Sequence, residues 1–416
     1  MWPSQPRTFP LDSPGSLRES SMTDQSFDVV VIGAGPAGSA AARRACDLGL
    51  SVALIDKAVF PRPKLCGALV SPRGNKAVRR VFDMEMTPEM YLVSRQVAFK
   101  WDGEELNRFD APYDLTYTYR LDFDHWLQRA AVAAGAVDMQ GTRVERILDG
   151  ESAIVLADGT RIGYGVLVGA DGAASPVAKH ILGAAFDPEK IGFAFETEVP
   201  GGCEAEALMS IDFDIVRWGY GWNFPKAGSR TIGLGAIRSV DQDLKALMAR
   251  YLAHEGVDAA SVTIKGAHIP LGDFKEHPGK GNILLVGDAA GFVDGITGEG
   301  IALAIESGAE AAEAAAQVIA EGRVQRADRA YVRRIRYIQS DLERVRRLRV
   351  IAYKSAMRDL FREKLRTSDL MRSSLFEVLA GEATYADIEK KVAKRAFMSV
   401  ARGLSSWPSK LSRRAG

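Results

Sequence analysis

The sequence predicts an α/β fold that carries an inserted antiparallel sheet and ends in a helical region. Three observations predict it. Over residues 27–48, an apolar run rich in β-branched residues is followed by a glycine turn and an Ala-rich helix. Between 191 and 235, short apolar segments alternate with turn glycines, which is typical of antiparallel strands. From Arg326 onward the spacing of apolar residues is helical.

The first of these segments is typical of a dinucleotide-binding βαβ unit, as in a Rossmann-like domain. The strand leads into GAGPAG, and the next apolar run ends on Asp56. Gly33 permits the sharp turn, Gly35 lets a pyrophosphate approach the backbone, and Gly38 lets helix and strand pack closely. The helix N-terminus offers N–H groups and a positive dipole end to phosphates. We expect Asp56 to accept a hydrogen bond from a ribose hydroxyl.

Composition narrows the class of protein. A chain of 416 residues has room for one large α/β unit or two to three domains, and 47% hydrophobic and 26% charged residues are typical of globular proteins. No apolar run approaches the roughly 20 residues of a membrane span. Three scattered cysteines do not suggest a disulfide framework or a zinc site, and there is no nucleic-acid-binding motif. We therefore expect a cytoplasmic protein without a metal ion or a nucleic-acid partner.

Charge is distributed unevenly along the chain. From Glu321 onward 24 Lys and Arg stand against 11 Asp and Glu, a net charge of +13, so the rest of the chain has a net charge of −12. Two interpretations are open. The basic region either contacts an anionic partner, such as the inner face of a membrane, or forms a solvated helical face.

The loop after Asp56 must be extended, because Pro61 and Pro63 exclude a helix. Cys66 ends this loop, where it is either an inert buried thiol or a reactive one. Further on, a helix is predicted over Tyr117–Ala134, with Asp122 as its cap. Its apolar face consists of Phe123, Trp126, Leu127 and Ala130.

Arg120 lies just before that cap and would either reach a phosphate or form a surface ion pair. Strands are predicted on both sides of the helix, at 91–100, 105–109, 144–148, 153–156 and 166–168.

Two more glycine turns follow predicted strands. GADGAAS at 169–175 carries Asp171 as an acceptor and leads into a helix near Ser175. A strand at 282–286 leads into GDAAGFVDGITGEGI, which places Asp288 at the strand end. Gly298 and Gly300 then open a long helix that extends to about residue 320, and their N–H groups form an anion-binding nest. A cofactor longer than one nucleotide would explain why three such turns converge.

An aromatic stripe lies within the inserted sheet. In YGWNFP, the two-residue period of a strand places Tyr220, Trp222 and Phe224 on one face. This face is either part of the core, which spacing alone favours, or the wall of an apolar pocket.

Taken together, GAGPAG, GADGAAS and GDAAGFVDGITGEGI resemble the FAD-binding signature of the flavoprotein group that includes the aromatic hydroxylases. With KLCGA, RLDFDHWL and YGWNFP added, the set resembles the geranylgeranyl reductase family over residues 27 to about 320. The resemblance implies bound FAD, and it favours the pocket wall for Tyr220 and Trp222. The C-terminal helices resemble the family in character only.

The resemblance also implies roles for single residues. The turn around Ala37 would hold the pyrophosphate and Asp56 the adenosine ribose, while Val144 would meet the adenine through its backbone. Asp288 would bind the ribityl or phosphate region. Cys66, Gly67, Leu69, Gly300 and Ile301 would lie along the flavin, and Arg120 would contact the cofactor. The predicted cofactor set is Gly33, Gly35, Pro36, Ala37, Gly38, Asp56, Lys57, Cys66, Gly67, Leu69, Arg120, Val144, Asp171, Asp288, Gly298, Gly300 and Ile301, and the predicted substrate set is Tyr220, Trp222 and Phe224.

The predicted organisation follows from these motifs. The FAD-binding domain is assembled from three segments, the inserted sheet forms a substrate domain, and Met22 stands just ahead of the fold. The predicted boundaries are a disordered leader at 1–24, FAD-binding segments at 25–90, 116–185 and 276–325, substrate-domain segments at 91–115 and 186–275, and a basic helical region at 326–416.

The implied activity is FAD-dependent reduction of isoprenoid double bonds in a prenyl lipid, a quinone or a prenyl diphosphate. Cys66 is the candidate catalytic residue, as a proton relay or in a structural role. The electrons would come from NADPH or a ferredoxin-like protein. Two alternatives share the same motifs: a flavin monooxygenase that hydroxylates an aromatic or polyketide-like substrate, and a flavoprotein that only transfers electrons to a partner.

Overall fold

The computed structural model describes residues 25–201 and 207–405. The predicted leader lies outside the described residues. In chain order, the strands are β1 (Gln25–Ile32), β2 (Val52–Asp56), β3 (Leu69–Val70), β4 (Tyr91–Trp101), β5 (Glu104–Thr118), β6 (Val137–Gln140), β7 (Val144–Leu148), β8 (Ala153–Leu156), β9 (Arg161–Gly169), β10 (Gly192–Pro200), β11 (Met209–Asp212), β12 (Gly219–Lys226), β13 (Ser229–Ile237), β14 (Lys265–Ile269), β15 (Gly279–Lys280) and β16 (Ile283–Leu285).

Helices cover the parallel sheet and form the C-terminal region. In chain order they are α1 (Pro36–Asp47), α2 (Pro72–Phe82), α3 (Arg120–Ala133), α4 (Pro176–Leu182), α5 (Leu244–His254), α6 (Gly287–Ala290), α7 (Ile301–Ala320), α8 (Ala327–Arg334), α9 (Arg336–Tyr353), α10 (Arg358–Thr367), α11 (Asp369–Leu379) and α12 (Tyr385–Ser405). Within the described ranges, no helix has both the length and the hydrophobicity needed to cross a bilayer.

The first sheet places the three glycine turns side by side. Its strand order is β15-β16-β9-β1-β2-β6, and β16, β9, β1, β2 and β6 run parallel. Ile32 at the end of β1 is paired with Gly169 of β9, which is paired with Leu285 of β16. Because parallel strands end at the same edge, the turns after these three strands meet there. The predicted convergence is confirmed.

Close packing of two helices holds this edge in place. α7 crosses α1 where Gly308 faces Ala37, and a Cβ atom placed on Gly308 would lie 2.1 Å from the Ala37 carbonyl oxygen. The strands beneath them are apolar and fully buried, as at Val29, Val30 and Val31. The turn after β1 is thus supported by both the sheet and α7.

The second sheet has the order β14-β10-β13-β12-β11-β4-β5-β3. It differs from the predicted antiparallel sheet in one pairing, because β11 runs parallel to β4. No hairpin joins these two strands, so no turn dictates their relative direction. The sheet is therefore mixed.

The predicted helix over Tyr117–Ala134 begins later than expected. Tyr117 and Thr118 belong to β5, Tyr119 is the N-cap of α3, and Asp122 lies in the first helical turn. Tyr117 pairs with β3 and β4 and is fully buried, so sheet packing determines its conformation. The predicted apolar face is confirmed, with Phe123 and Leu127 fully buried.

The helical C-terminal region is confirmed and packs against the second sheet. Leu365 of α10 and Phe376 of α11 are buried in the same cluster as Tyr117 of β5. The Phe376 and Phe109 rings meet edge to face, with their centroids 5.9 Å apart.

Candidate functional site

A cavity of about 880 Å³ begins where the three glycine turns meet and continues to the second sheet. This volume lies within the range typical of ligand sites, about 300–1,000 Å³. Every residue of the predicted cofactor and substrate sets lines the cavity except Gly38. The tertiary structure therefore brings together residues that are spread over more than half of the chain.

The glycines of the first turn have different surroundings. Gly33 has φ +102°, and a Cβ atom placed on it would lie 2.3 Å from the carbonyl oxygen of Ala170. On Gly38 it would lie 1.7 Å from the carbonyl oxygen of Gly33. On Gly35 it would meet nothing closer than Arg62 Nη2, at 3.5 Å. The protein's own packing therefore requires Gly33 and Gly38, whereas a Cβ atom on Gly35 would only contact the end of the Arg62 side chain.

Asp56 is buried at the end of β2. Its Oδ2 accepts a hydrogen bond from the N–H of Ala34 and its Oδ1 accepts one from the N–H of Ala58, each at 2.8 Å. A carboxylate oxygen has two lone pairs, so each oxygen can accept one more bond. Asp56 thus shapes the glycine turn and still has acceptor capacity for a ribose.

Two arginines follow one wall of the cavity and share a buried carboxylate. Arg62 Nη1 lies 3.3 Å from Asp124 Oδ2, and Arg120 donates from Nε and Nη2 to Asp124 at 2.6 and 2.9 Å. Asp124 is fully buried. Arg120 therefore forms an ion pair, as one interpretation expected, but a buried pair in the cavity wall. Sequence reasoning missed Arg62, although its place between two prolines in the loop after Asp56 was a signal.

The acids of the second and third glycine turns, Asp171 and Asp288, differ in their hydrogen bonding. Asp171 accepts hydrogen bonds from Ser175 Oγ at 2.5 Å and from the N–H of Val177 at 3.1 Å, so it supports the first turn of α4, whose N-cap is Ser175. Burial raises the pKa of Asp171 although these hydrogen bonds oppose the shift. The Asp288 carboxylate is half-buried and forms no hydrogen bond with any residue in the described ranges. Of these two acids, Asp288 is therefore the one with both carboxylate oxygens free to accept hydrogen bonds from a ligand.

The turn before α7 supports the aromatic stripe. Tyr220 Oη donates to the carbonyl oxygen of Thr297 at 3.1 Å. Gly298 has φ +72°, and a Cβ atom on it would lie 2.1 Å from Tyr220 Oη. Glu299 Oε1 accepts from the N–H of Ala302 at 2.9 Å and caps the first turn of α7. The nest and the tyrosine are therefore one packed unit.

The aromatic stripe forms a wall of the cavity. The Tyr220 and Trp222 rings meet edge to face at 6.1 Å between centroids. A Cβ atom on Gly67 would lie 2.7 Å from the Phe224 ring and 3.4 Å from Trp222 Nε1. Trp222 is 7% exposed, and its Nε1 has no acceptor in the described parts of the chain. Because this donor lies in the cavity wall, it is available to a ligand in the cavity.

The two sheets contribute different chemistry to the cavity wall. The segment 142–148, which includes β7 of the first sheet, contributes Thr142, Arg143, Glu145 and Arg146 together with Val144. The second sheet and its surroundings contribute the apolar residues Leu69, Ile269, Leu271 and Leu379, the last from α11. The cavity can therefore hold a polar nucleotide and an apolar group together.

Sequence reasoning also missed Glu196, which lies on β10 in the cavity wall. Its Oε1 accepts from the N–H of Cys66 at 2.7 Å. Burial raises the pKa of Glu196 to about 7, against the opposing effect of the Cys66 hydrogen bond. Spacing did not distinguish it from Glu198, which occupies the same face of the same strand.

These residues fit FAD. The bare backbone at Gly35 suits a pyrophosphate, since the first N–H groups of α1 have no partners within the helix. Asp56 and Asp288 retain acceptor capacity for hydroxyls, and Trp222 Nε1 is a donor without a partner in the described ranges.

Comparisons with known proteins agree with this geometry. Residues 27–197 match the pyridine nucleotide-disulphide oxidoreductase family. The chain is 30% identical to a menaquinone reductase of Mycobacterium tuberculosis over 330 residues, covering 70% of this chain and 76% of that protein. It is 32% identical to a geranylgeranyl diphosphate reductase of Rhodobacter capsulatus over 317 residues, covering 71% of this chain and 77% of that protein.

Solved structures share the fold. A geranylgeranyl bacteriochlorophyll reductase-like protein from Thermoplasma acidophilum superposes with a TM-score of 0.69 at 20% identity, covering 89% of this chain and 99% of that one. A flavin-dependent brominase superposes with a TM-score of 0.70 at 19% identity, covering 90% of this chain and all of that one. At such identities the likeness shows the fold alone. The identities to the two reductases, each over more than two thirds of the chain, together with the glycine turns and the aromatic wall, show that the chain belongs to the geranylgeranyl reductase family of FAD-dependent oxidoreductases.

Proposed function

We propose that the protein reduces isoprenoid carbon–carbon double bonds in a prenyl lipid, a quinone tail or a prenyl diphosphate. The observation that supports this most directly is that one and the same cavity is lined by the three glycine turns of the first sheet and by the aromatic side chains of Tyr220, Trp222 and Phe224. Such an aromatic lining suits a hydrocarbon chain, which offers no hydrogen bonds. Relatives named for reduction of menaquinone and of geranylgeranyl diphosphate support the same class of substrate.

FAD, when bound and reduced, supplies a hydride. A trisubstituted double bond is a poor electrophile, so a proton must be added to one carbon as the hydride reaches the other. The faces of Tyr220 and Trp222 can stabilise the positive charge that develops, by about 0.5–2 kcal/mol for a cation over an aromatic ring. The N-terminus of α7 favours negative charge at the cofactor end of the cavity. The chain therefore contributes orientation, a dry site and electrostatic stabilisation.

Cys66 remains the proposed catalytic cysteine. It lines the cavity, and the N–H of Ala68 donates to its Sγ at 3.4 Å. The Arg120 guanidinium also interacts with the thiol. The proposed roles are a proton relay or a structural support for the loop that ends at Gly67.

The electron donor and the site of action belong to the same proposal. We propose NADPH or a ferredoxin-like protein as the donor. We also propose peripheral contact of the basic C-terminal region with an anionic membrane surface, where long prenyl lipids reside. Four arginines support this contact because they are exposed and form no ion pair with a described residue: Arg326, Arg329, Arg333 and Arg336.

An anaerobic experiment tests the function. The purified flavoprotein is photoreduced, mixed with a prenyl diphosphate or with menaquinone in detergent, and monitored for flavin reoxidation and product mass. We expect reoxidation without oxygen and a gain of two mass units for each double bond reduced. The fully saturated diphosphate serves as the control and should leave the flavin reduced. With menaquinone, whose quinone ring can itself accept electrons, the mass of the prenyl chain after reoxidation of the quinol decides the result.

Other outcomes would identify the alternatives. A gain of sixteen mass units that requires oxygen would indicate a monooxygenase. Reoxidation only by a protein or quinone acceptor, with every prenyl chain unchanged, would indicate an electron-transfer flavoprotein.

A further inference from the structure

We propose that Glu196 is the acid that donates the proton to the substrate double bond. The inference rests on the proposed function and names a residue that the family motifs do not contain. It starts from the position of the carboxyl group, which lies in the cavity wall beside the Cys66 loop and the aromatic residues.

One oxygen of Glu196 fixes the position of the carboxyl group. Oε1 accepts from the N–H of Cys66 at 2.7 Å, which ties β10 to the loop that carries Cys66 and Gly67. The cross-strand partner of Glu196 on β13 is Gly233. A Cβ atom on Gly233 would lie 2.4 Å from Trp222 Cζ2 and 2.8 Å from Glu196 Cβ. The glycine thus lets the indole lie close to the glutamate side chain.

The other oxygen has no partner. Oε2 is buried and forms no hydrogen bond within the described ranges, and the residue is 9% exposed. A buried carboxylate with an unpaired oxygen is costly, whereas a protonated carboxyl group carries a proton that it can donate. The position therefore favours the acid form, with its proton available to a molecule in the cavity.

The surrounding charges agree with a group that titrates near neutrality. Burial raises the pKa of Glu196 to about 7, the Cys66 N–H opposes the rise, and the nearby charges partly offset one another. Lys226 is itself engaged by Glu198, at 3.2 Å. The charged and titratable groups around Glu196 are Lys226 on β12, Glu198 on β10, Lys64 and Cys66 in the loop after β2, and Lys265, its cross-strand neighbour on β14.

The proposed step balances as follows. The O–H bond of Glu196 breaks as a C–H bond forms at the less substituted carbon of the double bond. The tertiary carbon, which carries the developing positive charge beside Tyr220 and Trp222, receives the hydride and its electron pair from reduced FAD. The substrate gains two hydrogens and two electrons, and the Glu196 carboxylate regains a proton from water. Acid catalysis of this kind typically contributes about 10²–10⁴-fold to a rate.

The test is Glu196→Gln, which keeps an acceptor for the Cys66 N–H but has no acidic proton. Photoreduced protein is mixed anaerobically with a prenyl diphosphate, and flavin reoxidation is followed in a single turnover. We expect the variant to be slower by about 10²–10⁴-fold with FAD affinity within twofold. The control is Glu189→Gln, an exposed residue just before β10 that does not line the cavity and should stay within threefold of the unmodified protein.

The pH profile provides a readout that a structural role would not change. Because the acid must be protonated, the unmodified rate should fall as pH rises through about 7, and Glu196→Gln should lack this fall. Infrared difference spectra of the holoprotein should show a protonated carboxyl band that titrates over the same range and is missing in Glu196→Gln. If the glutamine variant does not fold, Glu196→Asp keeps an acid at this position and should retain the fall.

A Glu196→Gln variant with the unmodified rate and pH profile, or a flat profile for Glu196→Asp, would overturn the assignment and leave the proposed function intact. Failure of the unmodified protein to reduce any prenyl chain would instead overturn both.

Discussion

Gly35 and Gly38 belong to the same turn, but they are glycines for different reasons. A methyl group at 38 would overlap the carbonyl group of Gly33, whereas one at 35 would only contact the end of the Arg62 side chain. The motif thus combines one position that is needed for folding with one that is needed for a ligand.

This difference predicts opposite behaviour for two alanine variants. Gly38→Ala should lower the free energy of unfolding by about 3 kcal/mol, because the new methyl group forces backbone apart. Gly35→Ala should leave the thermal midpoint of the apoprotein within 2 °C or so of the unmodified value, since small changes at unstrained sites cost little. It should weaken FAD binding at least about tenfold, or 1.4 kcal/mol. Thermal unfolding and flavin fluorescence titration measure the two effects, and equal losses of stability in both variants would contradict the distinction.

Cys66 and Glu196, the two candidate acids in the cavity wall, make predictions that experiment can separate. If Glu196 donates the proton, Cys66→Ala should slow single-turnover reduction less than about tenfold and preserve the fall of rate with rising pH. Cys66→Ser serves as the conservative control. Loss of the pH dependence in Cys66→Ala would instead assign the proton to the thiol.

At the level of elements, the segment from Tyr117 to Ala134 shows how packing overrides periodicity. Helical spacing correctly predicted α3, but the two residues before its N-cap complete β5 because β3 and β4 pair with them. The boundary was wrong because partner strands that are distant in sequence determine it.

The segment 326–336 carries four exposed arginines, Arg326, Arg329, Arg333 and Arg336. Arg329 and Arg333 lie four residues apart in α8 and project from one side of it, while Arg326 and Arg336 flank the helix. Other arginines of the C-terminal helices do form ion pairs: Arg347 of α9 pairs with Glu343, and Arg366 of α10 pairs with Glu363.

This face predicts binding to anionic lipid. Replacing Arg329 and Arg333 together by Gln should weaken binding to phosphatidylglycerol vesicles by about 2 kcal/mol, roughly 30-fold, at about 1 kcal/mol per basic residue near the surface. Replacing the paired Arg347 and Arg366 should change it less. Vesicle co-sedimentation at low and high salt measures the affinity of both double variants. Equal losses of affinity would contradict a specific role of Arg329 and Arg333 in binding lipid.

On the scale of the whole molecule, part of the charge asymmetry is internal. Arg362 of α10 pairs with Glu104 of β5 at 2.6 Å, Arg334 of α8 pairs with Glu310 of α7 at 2.8 Å, and Arg358 pairs with Asp214. Basic helices therefore dock on an acidic body. The interpretation that the basic region contacts an anionic partner therefore concerns only the exposed arginines that form no ion pair with a described residue, such as Arg329 and Arg333.

Buried acids make stability depend on pH, and Glu196 gives the clearest case. Its pKa is raised from 4.5 to about 7 in the folded protein, so the folded state holds the proton more tightly than the unfolded chain. Its stabilising contribution is complete below the unfolded pKa and declines as pH rises through about 7. The difference in unfolding free energy between the unmodified protein and Glu196→Gln should therefore fall by about 3 kcal/mol from pH 4.5 to 7.5. Denaturant titrations at several pH values measure it, and a constant difference would contradict the raised pKa.

The glycine turns, the acids that follow strands and the aromatic stripe were predictable from the sequence, because each depends on residues close together in the chain. So was the fold class, which follows from the order of such segments. The sequence did not reveal that Arg62 shares Asp124 with Arg120, or that Glu196 joins the Cys66 loop. The contacts of Asp171 with Ser175 and of Arg120 with Asp124 are local, but their residue types alone do not distinguish an internal hydrogen bond from a ligand contact. The Arg62–Asp124 and Glu196–Cys66 contacts connect residues 62 and 130 positions apart, so only the tertiary structure brings them within hydrogen-bonding distance.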